Sequence, residues 1–430
     1  MRSKKIIAGI ACTAIVLSTV IVACTKDSGF ITMRIYTPVY KSTASVRAAV
    51  KAGSPEAIHA AGKMFLAGNY ILLNEVNKGI HIIDNSNPAS PVNKAFIPIP
   101  GNLDITVKGN TLYADSYTDL LVIDISNMQS IQCKTYIANL FPDRSYVLGS
   151  PMPNGQIVID WTERDTTVRM EVAQGQGIWK NSEYYYFPGG VWQDFPSGLN
   201  TADYSNSQSS TKSSSNIAGS ESRFAIINNY LYTVSTGTLS SIDISNPFAP
   251  KLAGYQGAGV NGESIFTLNN KLFIGGSTGI SVFSVDNASA PESEGGFGHF
   301  CSNDPVIADG NIAYVTLSAN NRCQGDVDEL DVLDVSNMQA IKLIKTYPLS
   351  GPKGLSKDGN TLFICDGAQV KVFNAANSNN ITLQQTIKVN SAYDVICYNK
   401  IAYVSAAGGL YQFDYHDLTN IKQLSKIALQ

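Results

Sequence analysis

The sequence predicts an all-β fold, a single β-propeller of seven or eight four-stranded blades set by a repeat of about 41 residues. The first observation is a strand ending in a turn, Leu120-Leu121-Val122-Ile123-Asp124-Ile125-Ser126-Asn127. It recurs imperfectly at Gly79 to Asn87, Leu239 to Asn246, Ile280 to Asn287, Leu330 to Asn337, Val370 to Asn377 and Leu410 to Asp417. The second is a tight-turn pair ahead of a β-rich run: Gly68-Asn69, Gly109-Asn110, Asn228-Asn229, Asn269-Asn270, Gly310-Asn311, Gly359-Asn360 and Asn399-Lys400. Such pairs accept the positive φ that two-residue hairpins require. The third is their spacing of 41, 119, 41, 41, 49 and 40 residues. One four-stranded sheet cannot bury both faces alone, whereas sheets stacked around an axis can.

One unit illustrates the rest. Strand A runs Leu103 to Val107, strand B Thr111 to Asp115, strand C Leu120 to Asp124 and strand D Ile131 to Ile137. Asp124 and its counterparts are expected to accept backbone N–H bonds in an Asx-turn closing strand C. Pro88, Pro247 and Pro291 fall where no ladder N–H is needed. Seven units are plain. Arg144 to Val172 reads either as an eighth, degenerate unit or as an inserted hairpin. The last unit carries its own strand D, so ring closure need not borrow a strand from elsewhere.

The units resemble the LVIVD repeat family of β-propellers, named for the strand seen here as Leu121-Val122-Ile123-Asp124. The resemblance covers roughly residues 62 to 430 and holds register across seven copies. It implies a propeller in an extracytoplasmic setting and brings no catalytic residues.

Ahead of the repeats, Arg2, Lys4 and Lys5 precede an apolar run from Ile6 to Val22, the pattern of a secretion signal. The run is too short and too interrupted for a membrane span. Its end, Ile21-Val22-Ala23-Cys24, resembles the bacterial lipoprotein lipobox, which implies lipidation of Cys24. Residues 1–23 are therefore read as signal and 24–60 as a lipid-anchored stalk, with 61–430 forming the propeller. The expected setting is the outer membrane, on its periplasmic side or at the cell surface. Lys26-Asp27 looks like the start of a surface-export signal. Within the stalk a strand is expected over Ile31 to Tyr40, free to pair with a propeller edge. A short helix is capped by Ser42 or Thr43 and stopped by Ser54-Pro55.

Residues 173–220 do not repeat. They hold an aromatic cluster that includes Trp179, Tyr185 and Trp192, then a Ser/Thr/Asn-rich stretch expected to be flexible. Aromatic rings offer stacking surface for a ligand, or they seal the fold.

Charged residues make up only 15% of the chain and its net charge is −3 with no basic stripe, which argues against nucleic acid. No metal-ligand spacing, P-loop, G-x-S-x-G or dinucleotide fingerprint is present, so neither a metal nor a cofactor is expected. The acidic run Asp326, Asp328, Glu329, Asp331 reads as a solvated loop. Cys301 and Cys323 fall on loops of the same face and could form a disulfide in an oxidising compartment. Cys133, Cys365 and Cys397 read as buried thiols.

Register supplies the candidate site. The start of strand A carries Lys63, Asp104, Arg223, Glu263, Asp304, Lys353 and Asp394, which places charges of both signs around one channel rim. The expected function is non-enzymatic: a membrane-anchored monomer that binds or scaffolds a glycan, peptide or protein partner. The alternative is a glycan hydrolase or lyase using rim carboxylates such as Asp104, Glu263 and Asp394.

Overall fold

The computed structural model describes residues 27–127, 130–147, 150–151, 155–172, 183–187, 190–193, 207–208, 216–299, 305–318 and 327–429. They divide into two compact units, one of residues 41–157 and 199–430, the other of residues up to 40 and 158–198. The stretches read as signal and lipobox, with Cys24, lie outside the described residues, as do Trp179, Cys301, Asp304 and Cys323.

The described residues of the larger unit form seven blades of a propeller. Blade 2 is built from Ile105–Lys108, Thr111–Ser116, Asp119–Asp124 and Gln132–Ile137, within two residues of the expected strand bounds. Blades 1 and 3 to 7 span 64–98, 224–257, 262–298, 306–348, 352–388 and 392–428, each an antiparallel A-B-C-D sheet. The turn pairs behave as expected. Gly68, Gly109, Asn228, Asn269, Gly310, Gly359 and Asn399 all take φ between 48° and 60°.

The strand C motif owes its form to its side chains. Asp84, Asp124, Asp243, Asp334 and Asp414 accept the N–H two residues on, at 2.8 to 3.0 Å. A second Asx-turn follows at Asn87, Asn246, Asn337, Asn377 and Asp417. Two turns in series reverse the chain without a glycine. All seven C–D ladders also carry a register shift just before the closing position, for example between Val122 and Ile123.

Apolar layers between neighbouring blades hold the ring together. Tyr113, Leu120, Val122 and Phe141 of blade 2 and its following loop meet Phe224, Leu231 and Ile242 of blade 3. Each such buried side chain contributes about 1.5–3 kcal/mol. Blade 2 therefore packs directly on blade 3, and no blade lies between them among the described residues. Closure joins Met64, Leu66, Ile71, Leu73 and Ile83 of blade 1 to Ile396, Tyr403 and Leu410 of blade 7. Gln412 also donates to Asn85 Oδ1 at 2.7 Å across that seam. Blade 7 keeps its own outer strand, Lys422–Ala428, as expected.

The stalk helix α1, Thr43–Ala49, is N-capped by the Ser42 hydroxyl, which accepts the Ser45 N–H at 3.2 Å. Val46 is buried, and Val50 joins the apolar layer of blades 1 and 2. Arg47 bonds Asp119 through Nε at 2.7 Å and lies 3.8 Å above the Tyr136 ring.

The smaller unit departs from expectation. Strand β1, Asp27–Ser42, pairs with no blade edge. It lies in a sheet of order β2-β1-β3-β4 with β2 Gln156–Val172, β3 Glu183–Phe187 and β4 Gly190–Gln193. Within the stretch read as a degenerate unit or an inserted hairpin, Gln156–Val172 is one continuous strand, β2. Thr162 to Asp165 within it offers no Gly, Asn or Pro to turn on. Arg34 of β1 bridges Glu163 at 3.3 Å and Asp165 at 3.0 Å of β2.

Candidate functional site

The innermost strands place four of the predicted rim residues in one connected chain. Lys63 Nζ meets Asp104 Oδ2 at 2.6 Å, from blade 1 to blade 2. The same oxygen accepts the Arg223 backbone N–H at 2.7 Å and lies 3.6 Å from Arg223 Nε, at the start of blade 3. Asp394 of blade 7 lies on the other side, within electrostatic reach of Lys63. Charge thus alternates in sign over blades 7, 1, 2 and 3.

The rim itself needs correcting. Lys63, Asp104 and Asp394 are 2%, 1% and 0% exposed, so they do not line an open mouth. The cause is residues 216–222, which end and follow the 201–216 stretch expected to be flexible, together with Ser207–Gln208 inside it. Strands β5, Ser207–Gln208, and β7, Ser220–Glu221, pair with each other. Between them β6, Asn216–Ala218, adds an innermost, antiparallel fifth strand to blade 1, with Ile217 opposite Leu66. The Ser220 hydroxyl accepts the Leu355 N–H of blade 6 at 2.8 Å, and the Ser222 carbonyl accepts the Ile265 N–H of blade 4 at 2.7 Å. The chain therefore caps the inner edges of three blades with its own polar residues, and Ser220, Glu221 and Ser222 are all buried.

The remaining predicted residues separate. Glu263 is half-buried. Lys353 is exposed, its ammonium 4.8 Å from the Tyr393 ring. Tyr185 and Trp192 sit opposite each other in the smaller sheet, far in the chain order from the ring residues. Cys365 and Cys397 are buried thiols as expected, and burial pushes Cys397 up to about 12; Cys133 is only half-buried. The acidic run is no loop over its described part. Glu329 and Asp331 lie on strand C of blade 5, where the buried Asp331 accepts the Thr346 hydroxyl at 2.6 Å. Among the described residues no group of three or more His, Cys, Asp or Glu could hold a metal ion.

Burial dominates the electrostatics. It pulls the Lys63 ammonium down, while the Asp104 carboxylate beside it pulls it back up. It raises Asp394 to about 7, and the Val395 amide, Lys63 and the Ser220 hydroxyl offset only part of that rise. Neither Asp394 oxygen has a well-formed hydrogen bond. The carboxyl is pressed against Gly354, where an added Cβ would come 2.3 Å from Oδ1 and 2.9 Å from the Asp394 Cα. Gly354→Ala is therefore expected to destabilise the fold by about 1–3 kcal/mol, the usual cost of overpacking. An unchanged denaturation midpoint would show that this contact is loose.

Sequence reasoning missed Asp115, the other anchor of this layer. It accepts the Leu103 and Asp104 N–H groups at 2.7 and 2.9 Å and the Asn102 side-chain amide at 2.8 Å, and it pairs with Arg144. Its place at the end of strand B, opposite a charged strand A start, was the available signal. Away from the channel, a groove of about 380 Å³ opens between blades 4 and 5 and is lined by Phe273, Asn311 and Met338. Its charges, Lys271 and Glu294, neutralise each other.

The LVIVD repeat profile matches residues 60–96, 102–136 and 218–255, which are blades 1, 2 and 3 with their lead-in residues. The chain carries LVIVD repeats on a β-propeller fold. Blades 4 to 7 share the C–D register shift of the three matched blades. No protein of curated function matches the sequence. Among solved structures, the periplasmic gluconolactonase PpgL of Pseudomonas aeruginosa is similar at a TM-score of 0.53 and 12% identity, over 85% of this chain and 96% of that one. A protein from Lactobacillus plantarum is similar at 0.52 and 12% identity, over 86% and 96%. At such identities the likeness is one of fold.

Proposed function

We propose that this LVIVD propeller is a lipid-anchored protein of the bacterial cell envelope that binds or scaffolds a glycan, peptide or protein partner without catalysing a reaction. One observation carries the non-enzymatic reading. The carboxylates that a glycan hydrolase or lyase would use at the channel are committed or covered: Asp104 holds Lys63 and Arg223, and Asp394 is fully buried. An acid–base pair needs two carboxyls facing an open cleft. Partner contact would then fall on the outer surface, where Phe248, Leu252 and Tyr255 of blade 3 are exposed at 43%, 45% and 76%. Large apolar side chains grouped on a surface favour a peptide or protein partner.

The test is a thermal-shift screen of the lipid-free chain, from about residue 26 onward, against glycans, peptidoglycan fragments and peptides. A ligand at a hundredfold excess over Kd stabilises by about 2.7 kcal/mol. Binding without product supports the proposal. Product formation that is lost in Asp104→Ala or Glu263→Ala would replace it with the hydrolase reading. The anchor is tested separately. Cys24→Ser is expected to move the protein from the membrane to the soluble fraction, and unchanged fractionation would remove the lipid from the proposal.

A further inference from the structure

The channel segment differs in kind from the ring around it. The blades are held by layers of Leu, Ile, Val and aromatic side chains. Residues 219–222, Gly-Ser-Glu-Ser, hold their place through polar contacts: the Leu355 and Ile265 amides already described, and the Ser222 hydroxyl, which donates to the Phe224 carbonyl at 2.7 Å. Strands β5, β6 and β7 are only two or three residues long. Segments with few buried apolar contacts open at far lower free energy than the core they rest on.

Asp394 lies beneath this segment. From the segment it faces Ser220, with Glu221 beside it. From blade 6 come Lys353, Gly354 and the Cys365 thiol, and from blade 1 comes Lys63. Its own blade supplies the Val395 amide, Tyr393 and, directly across the A–B ladder, Ser405. Lys63 is the nearest buried cation, and it is already bonded to Asp104. A neutral Asp394 is compatible with this dry site. An ionised one is disfavoured, because burial costs the charge more than the Val395 amide, Lys63 and the Ser220 hydroxyl return. Among the described residues, blades 1, 6 and 7 and the segment surround the fully buried Asp394, so displacing the segment opens the site to water.

We propose that residues 216–222, with Ser207–Gln208, form a removable plug in the propeller channel, and that ionisation of Asp394 releases it as pH rises. Release exposes the alternating charges of Asp394, Lys63, Asp104 and Arg223 to solvent, which creates the open rim that the closed form hides. Burial sets the Asp394 carboxyl near 7, so the transition falls within an ordinary environmental range. Protonated and closed at acid pH, ionised and open at alkaline pH, is the sense of the switch.

Hydrogen–deuterium exchange on the full chain tests it, using peptides that contain Ile265 and Leu355, whose amides donate to the plug. After correction for intrinsic rates, protection at both sites is expected to fall at least tenfold between pH 5.5 and 8.5. Blade ladders such as 111–124 should keep theirs, and Asp394→Asn should abolish the change. Equal protection at both pH values overturns the proposal. So does a loss spread evenly over all blades, or a loss that persists in Asp394→Asn. Should that variant fail to fold, Ser220→Ala serves instead. Removing a hydroxyl that touches both the carboxyl and the Leu355 amide should move the midpoint at Ile265, and a fixed midpoint would also overturn the proposal.

Discussion

Lys63→Met is expected to cost about 3–5 kcal/mol of stability, the usual penalty for removing one partner of a buried ion pair. Lys63 and Asp104 are 2% and 1% exposed and 2.6 Å apart. Arg223 stays 3.6 Å from the same oxygen, so the loss should lie at the lower end of that range. The double variant Lys63→Met/Asp104→Leu separates two explanations. If the loss is the cost of a stranded charge, the double variant should recover most of it. If the pair organises the inner strands by its own attraction, the double variant should be no better than the single one. Urea midpoints at pH 7 give the answer, and a single variant within 1 kcal/mol of the parent would show that water already reaches Asp104.

Asp394→Asn should change how stability depends on pH. The carboxyl sits at about 7 in the fold, against about 3.9 in an unfolded chain. The pKa is raised, so the unfolded state releases its proton first. Stability therefore carries no penalty from this group below about pH 4, falls between 4 and 7, and stays low above 7. The full difference is about 4 kcal/mol, and local release of the plug would reduce it. Asp394→Asn should flatten this slope and be the more stable protein at pH 8. The turn aspartates act in the opposite sense. Asp84, Asp124, Asp243, Asp334 and Asp414 are held below the usual carboxylate range by hydrogen bonds from the residue two positions on. Their contribution is present above about pH 4 and is lost as pH falls through their lowered values. A parent protein whose stability is flat from pH 5 to 8 would contradict the burial of Asp394.

What could be read in advance was what is local. A Gly-Asn or Asn-Asn pair carries its own backbone preference, and the aspartate ending strand C bonds an amide two residues away. Both signals sit inside a few residues and were visible without a partner in view. The alignment of Lys63, Asp104, Arg223 and Asp394 also followed from counting along a repeat. Their burial did not, because it depends on a segment that lies in the sequence between blades 2 and 3 yet reaches the inner edges of blades 1, 4 and 6. Ser, Gly and Asn at 205–220 show neither a period of two nor one of 3.6, so nothing marked them as strand. The reading of Gln156 to Val172 as part of a degenerate blade failed in a related way. Strand β2 alternates like two short strands, and only the lack of a turn residue at Thr162 to Asp165 told against the division.

The register shift shared by every C–D ladder bears on how the molecule behaves among many copies of itself. Seven outer strands mean seven sheet edges, those of blades 1 and 2 bridged only at Phe96 and Gln132 by Gly53 and Lys51, and an open edge is a template onto which another chain could add. A bulge bends and twists the strand that carries it, so a flat incoming strand cannot follow its line of amides for more than a few residues. Lysine reinforces this at Lys94, Lys134, Lys251, Lys342 and Lys422, near the start of five of those strands. Repetition of one small irregularity thus protects the whole circumference from edge-to-edge growth, and straightening it in a single blade would create a nucleus for aggregation while leaving the ring intact.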